Sequence, residues 1–174
     1  MLEIKKGLPE DVDELAALYD ALTDYLDSHV NYPGWKKGVY PTREDAIQGV
    51  EEGSLFVARD GARIAGSLML RHKPEPAYAL ADWHVDLAYS DIFIIHTFAV
   101  HPRYLHRGIG KKLLEFVFDY AARTDRKAVR LDVHEKNLPA IKLYETFGFQ
   151  YIDTVDLGYG VHGLDWFKLY QYLL

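Results

Sequence analysis

The sequence predicts an α/β (α+β) domain: a mixed sheet of short strands with helices on its faces. Three observations predict it. Strand-like and helix-like periods alternate along all 174 residues, with no repeat, low-complexity tract or linker between them. Asp60-Gly61 joins two apolar runs, a strong short hairpin signal. After Val100 the chain breaks at Pro102, turns on Gly108 and Gly110, and enters an apolar-faced helix. A chain of this length suits one domain with a sizeable core, so 1–174 is expected to fold as one.

Each element follows in order. Leu2–Lys6 alternates and reads as a strand. Pro9-Glu10-Asp11 opens a helix, its acids suiting the positive end of the helix dipole, and Val12, Leu15, Tyr19, Leu22 and Leu26 form its apolar face. His29–Tyr40, with Pro33, Gly34 and Gly38, is a loop, and Thr42 with Asp45 three residues on caps a second helix. Gly53–Arg59 and Ala62–Arg71 are the hairpin strands. His72–Ser90 has no clean period and reads as an insertion, a type of segment that often carries function. Asp91–Val100 is a strand, Gly108–Arg123 a helix and Ala128–His134 a strand. Asn137 caps a helix that stops at Phe147-Gly148, and Phe149–Val155 and Leu164–Leu173 are the last strands.

Composition narrows the function. There is no cysteine, which excludes disulfides, thiolate nucleophiles and cysteine-based metal sites. The net charge of -6 argues against nucleic acid as a partner and mildly favours a cationic substrate. The chain has neither the apolar region of a signal peptide nor a run able to span a bilayer, so a cytoplasmic protein with no membrane partner is expected. His96, His101 and His106 lack a carboxylate at motif spacing, so no metal is expected.

The most informative stretch is Thr97-Phe-Ala-Val-His-Pro-Arg-Tyr-Leu-His-Arg-Gly-Ile-Gly-Lys-Lys-Leu-Leu114. Glycines let backbone approach a ligand, and the new helix aims its first N–H groups outward, which suits an anion such as a pyrophosphate. A Walker A loop is ruled out by Leu105 and Lys112. A dinucleotide fingerprint over Gly108–Leu113 has Leu113 where a small residue is needed, although Asp132 lies at a suitable distance downstream. A bare turn is the remaining reading.

A second segment, Leu131-Asp-Val-His-Glu-Lys-Asn-Leu-Pro-Ala-Ile-Lys-Leu-Tyr-Glu-Thr-Phe-Gly-Phe149, follows at the distance a helix and return strand require. Together the two segments resemble the GNAT superfamily of acyl-CoA-dependent N-acyltransferases, specifically over Thr97–Phe149 and loosely over the whole chain. The turn departs from the family's usual pattern at Leu105 and His106. The resemblance implies a mostly antiparallel central sheet with a splayed strand pair that holds acetyl-CoA. Main-chain groups of Phe98, Ala99 and Val100 would bond the pantetheine arm, and His106, Arg107, Gly108, Ile109, Gly110 and Lys111 would wrap the pyrophosphate. Asn137 would bond the cofactor or a water, or serve only as a cap.

The resemblance also implies a chemistry. Tyr144 sits where the family often places a phenol that protonates the leaving thiolate; its alternative role is a helix-face aromatic packed with Ile141 and Phe147. His96 is the candidate for removing the acceptor's proton, since a histidine titrates near neutral pH; otherwise it is a hydrogen-bonded strand residue. Strand alternation would put Ile94, His96, Phe98 and Val100 on one side. The acceptor is expected to be a primary amine of a small molecule or peptide, entering between His29–Tyr40 and His72–Ser90. Trp35 and Tyr40 in the first, and Asp82 and Asp86 in the second, are the substrate-binding candidates, with Glu75, Tyr78, Trp83 and Tyr89 nearby in sequence. A homodimer is compatible with this reading. The competing reading is a non-catalytic acetyl-CoA-binding module on the same fold.

Overall fold

The computed structural model describes residues 1–174. The expected element order is present: β1 (Leu2–Lys6), α1 (Val12–Asp27), α2 (Arg43–Glu51), β2 (Leu55–Asp60), β3 (Arg63–Arg71), β4 (Ile92–Val100), α3 (Ile109–Arg123), β5 (Ala128–His134), α4 (Leu138–Thr146), β6 (Gln150–Val155) and β7 (Phe167–Leu173). The strands form one seven-stranded sheet in the order β1-β2-β3-β4-β5-β7-β6. The β1–β2, β2–β3, β5–β7 and β6–β7 pairs are antiparallel, and β4–β5 is parallel. No helix is long and apolar enough to cross a membrane.

Two compact units divide the chain. Unit 1 comprises Met1–Asn31, Trp35–Leu70 and His96–Phe116. Its core joins the predicted apolar face of α1 (Leu15, Tyr19, Leu22, Leu26) to Leu55, Val57, Ile64, Met69 and Ala99. A bulge at Ala65 of β3, opposite Ala58 and Arg59 of β2, shifts the hairpin register. The carboxylate of Glu14 accepts the Ile64 N–H at 2.7 Å, and Arg59 pairs with Asp11 and Glu14, so charges in α1 and the turn before it lock the hairpin end. Gly66 lets α3 settle on the sheet. A Cβ there would stand 3.0 Å from both the Ala99 carbonyl oxygen and an Ile109 methyl, and 3.2 Å from Leu113.

Unit 2 comprises Tyr32–Gly34, Arg71–Ile95 and Val117–Leu174. Tyr78, Trp83, Ile92, Ile94, Ala128, Val155 and Leu169 form one of its apolar clusters. The aperiodic segment 72–91 is therefore a folded layer, built from short 3₁₀ turns at Pro76–Leu80 and Tyr89–Asp91. Arg130, only 2% exposed, fixes that layer to β5. Its guanidinium lies 4.1 Å from the Trp83 ring centre, and its Nε donates to Gln171 Oε1 at 2.8 Å. Gln171 in turn donates to the Trp83 carbonyl at 3.0 Å, and the Trp83 indole donates to the Tyr78 carbonyl at 2.9 Å.

Several local expectations are refined. Pro9–Asp11 is a 3₁₀ turn before α1, and β7 starts at Phe167, because Tyr159 and Leu164 close a loop through left-handed Gly163. Asp45 accepts from both the N–H and the hydroxyl of Thr42, and Gly148 stands after α4 with φ +91. Asn137 precedes α4 with φ −81 and ψ 67, and its side chain makes no capping bond.

Candidate active site

The anion-binding geometry lies wholly in unit 1. After the 3₁₀ turn Pro102–Tyr104, His106 and Gly108 both take left-handed backbone, at φ 61 and φ 77. Lys112 N–H donates to the Gly108 carbonyl at 3.1 Å, so the N–H groups of Gly108 through Lys111 precede the helical ladder. A Cβ at Gly108 would meet nothing within 4 Å, which leaves the backbone open to a ligand from that side. His106, Arg107, Gly108 and Lys111 are exposed, and the Arg107 guanidinium rests 5.4 Å from the Tyr104 ring centre. Exposed N–H groups at a helix start beside two cations make a site for a phosphate anion, so these residues fit the diphosphate of a CoA-type cosubstrate.

β4 is irregular where its candidates lie. The paired register with β5 runs from Ile92↔Ala128 to Ile95↔Leu131, and His96, Phe98, Ala99 and Val100 lie beyond it on the strand. Thr97 has φ 50, a conformation a β-branched residue rarely adopts. The strand continues through that residue, and half-buried His96, Phe98 and Val100 alternate with buried Thr97 and Ala99. The Thr97 hydroxyl bonds the Tyr40 hydroxyl, which ties the α1–α2 loop to the irregular strand. Trp35 stands edge-on to Tyr40 with ring centres 5.6 Å apart. His96 is half-buried.

In unit 2, Tyr144 is 5% exposed on α4 and packs edge-on to Phe149 at 5.7 Å. Burial, with a smaller contribution from the charge of Asp132, pushes its phenol well above the ordinary tyrosine range, so it stays protonated at neutral pH. Asp132 is the residue that sequence reasoning considered only within the dinucleotide pattern. Burial pushes its carboxyl up to about 6, with Glu75 adding to the rise, against a 2.7 Å hydrogen bond donated by the Tyr78 hydroxyl. The signal was present in the sequence: Arg130, Asp132 and His134 put polar groups at every second position of an otherwise apolar strand. Asp82 and Asp86 are exposed, and Asp82 closes a local turn with the His84 N–H at 2.9 Å. From segment 72–91, Glu75 and Tyr78 act on Asp132, while Trp83 and Tyr89 lie over Arg130.

The sequence profile described as the acetyltransferase (GNAT) family matches residues 15–149. The chain belongs to that family. The spermine/spermidine N(1)-acetyltransferase of Bacillus subtilis is 37% identical over 60 residues, which is 34% of this chain and 40% of that enzyme. The first curated relatives are matched over only 18% to 40% of their own length. A GNAT-family acetyltransferase structure from Streptococcus agalactiae superposes with TM-score 0.82 at 20% identity, covering 99% of this chain and 95% of that one. The structure of yncA from Salmonella typhimurium, solved with its cofactor acetyl-CoA, superposes with TM-score 0.72 at 17% identity, covering 100% and 94%. At these identities the structures establish a shared fold.

Proposed function

We propose that this GNAT-family chain transfers acetyl from acetyl-CoA to a primary amine of a small molecule or peptide, by direct attack in a ternary complex. The observation that carries the reading is the turn in unit 1, with left-handed His106 and Gly108 and open N–H groups at the start of α3. Arg107 to Lys111 would hold the diphosphate, with His106 beside them. The main chain at Phe98, Ala99 and Val100 would bond the pantetheine, one N–H there polarising the thioester carbonyl. Asn137 would bond the cofactor or a water. Tyr144 would protonate the departing thiolate, which otherwise gains full charge in an apolar setting. Trp35, Tyr40, Asp82 and Asp86 would guide a cationic acceptor by ring faces and charge.

The acceptor amine must lose a proton to attack. His96 is the group proposed to take it. Thiol release over a panel of polyamines, arylalkylamines, aminoglycosides, amino acids and peptides tests the function, with thermal shift in acetyl-CoA run beside it. Amine-dependent thiol release is expected. Stabilisation by acetyl-CoA without release on any amine would make the chain a binding module, and no stabilisation would sink the reading altogether.

A further inference from the structure

We infer that Tyr40 is a positioning residue: its hydroxyl holds Thr97 in left-handed backbone and so sets how β4 meets acetyl-CoA. The inference rests on the cofactor part of the reading above. Thr97 takes φ 50 inside a nine-residue strand. A β-branched residue resists that conformation, so its surroundings must impose it. The Thr97 side chain is 6% exposed, and its hydrogen bond is the one to the Tyr40 hydroxyl. A hydroxyl so enclosed is costly to leave without its partner.

Tyr40 is delivered by a turn that stands on contacts of its own. The N–H groups of Val39 and Tyr40 both donate to the Lys36 carbonyl at 3.0 Å, and Lys36 and Tyr40 form an isolated β-bridge. The Asn31 side-chain amide donates to the Trp35 carbonyl at 2.8 Å. Trp35 stands edge-on to Tyr40 and packs against the core cluster of α1. Lys37 pairs with Asp24 of α1 at 3.1 Å. All of these residues, with Thr97, lie in unit 1. The loop is thus fixed to α1 before it reaches β4. Of the two hydroxyl partners only Thr97 has left-handed backbone, so the loop dictates and the strand yields.

Thr97 stands between two residues with proposed roles, His96 as proton acceptor and Phe98 at the start of the main chain that would bond pantetheine. The ladder to β5 has already ended, at Ile95↔Leu131. Relaxing Thr97 to extended backbone would rotate the peptide groups on either side of it, and the Phe98 N–H with them. A ligand bonded to the main chain from Phe98 to Val100 would feel that rotation directly. In this role Tyr40 touches none of the reacting atoms; it acts through Thr97. The loop proposed to guide the acceptor therefore also shapes the strand proposed to hold the cofactor.

The test uses the full chain as wild type, Tyr40→Phe, Thr97→Gly and the double variant. Backbone ¹³C shifts at position 97 are followed by NMR, and acetyl-CoA affinity by titration calorimetry. Tyr40→Phe keeps the ring beside Trp35 and removes the hydroxyl. Its Thr97 shifts should move towards extended values, and its affinity should fall roughly tenfold, the effect of one lost hydrogen bond. Thr97→Val removes the same bond from the strand side and should match it in both readouts. Glycine adopts positive φ without help, so adding Tyr40→Phe to Thr97→Gly should change affinity by no more than about twofold. A tyrosine that merely packs would cost the same in both backgrounds, and that result overturns the inference. Unmoved Thr97 shifts in Tyr40→Phe overturn it too. Shifts that move while affinity holds overturn the cofactor role of Tyr40 and leave the transferase reading, which the Gly108 turn carries. A wild type that does not bind acetyl-CoA overturns both.

Discussion

Gly108→Val, compared with Gly61→Val, isolates what the turn does. Both glycines lie in unit 1 with positive φ, +77 and +59, and a Cβ at either meets nothing within 4 Å. Space is therefore not the obstacle to folding. The cost at each position is that of forcing an L-residue into left-handed backbone, about 1–2 kcal/mol. At roughly 2–4 °C per kcal/mol for a chain of this size, both variants should melt several degrees lower and both should stay folded. Only Gly108 lies where backbone is proposed to meet a diphosphate, and the new side chain would stand in that approach. Titration calorimetry with acetyl-CoA should therefore give Gly108→Val an affinity at least about tenfold weaker, or about 1.4 kcal/mol. Gly61→Val should match the wild type. Equal affinity in the two variants, with equal melting losses, would refute the argument and remove the turn from the binding site.

Two further predictions concern the chemistry. Tyr144→Phe keeps the ring against Phe149, so stability should change little, while kcat falls roughly 10²-fold and acetyl-CoA affinity holds. An unchanged kcat with a lowered melting temperature would make Tyr144 core alone. His96→Ala should remove the ascending limb of the kcat/KM profile or move it to higher pH; an unaltered profile would clear His96 of the base role.

The sequence made the element order legible because each signal was local. Asp60-Gly61 marked the hairpin, Thr42 and Asp45 the α2 start, and Gly148 the α4 end, where only neighbouring residues decide. The turn at Gly108 was legible for the same reason. What escaped depends on distant partners. Segment 72–91 shows no period because its order comes from Arg130, Gln171 and the unit 2 core rather than from a repeating backbone. Left-handed Thr97 is invisible in advance, since a β-branched residue carries no local preference for that conformation. Asp132 looked like part of a weak dinucleotide pattern until Tyr78, far away in the chain, was found bonded to it.

The Arg130 latch bears on how the 72–91 segment can behave over time. With a guanidinium beneath Trp83, Gln171 holding its carbonyl and Tyr78 packed without exposure, the segment gives up several core contacts if it lifts. It is thus a standing wall rather than a flap. If the acceptor enters beside it as proposed, a wall that is already ordered adds no folding cost to substrate capture and no closing step to limit turnover. Acceptor range would then be set by its side chains, while loosening the latch would cost stability first.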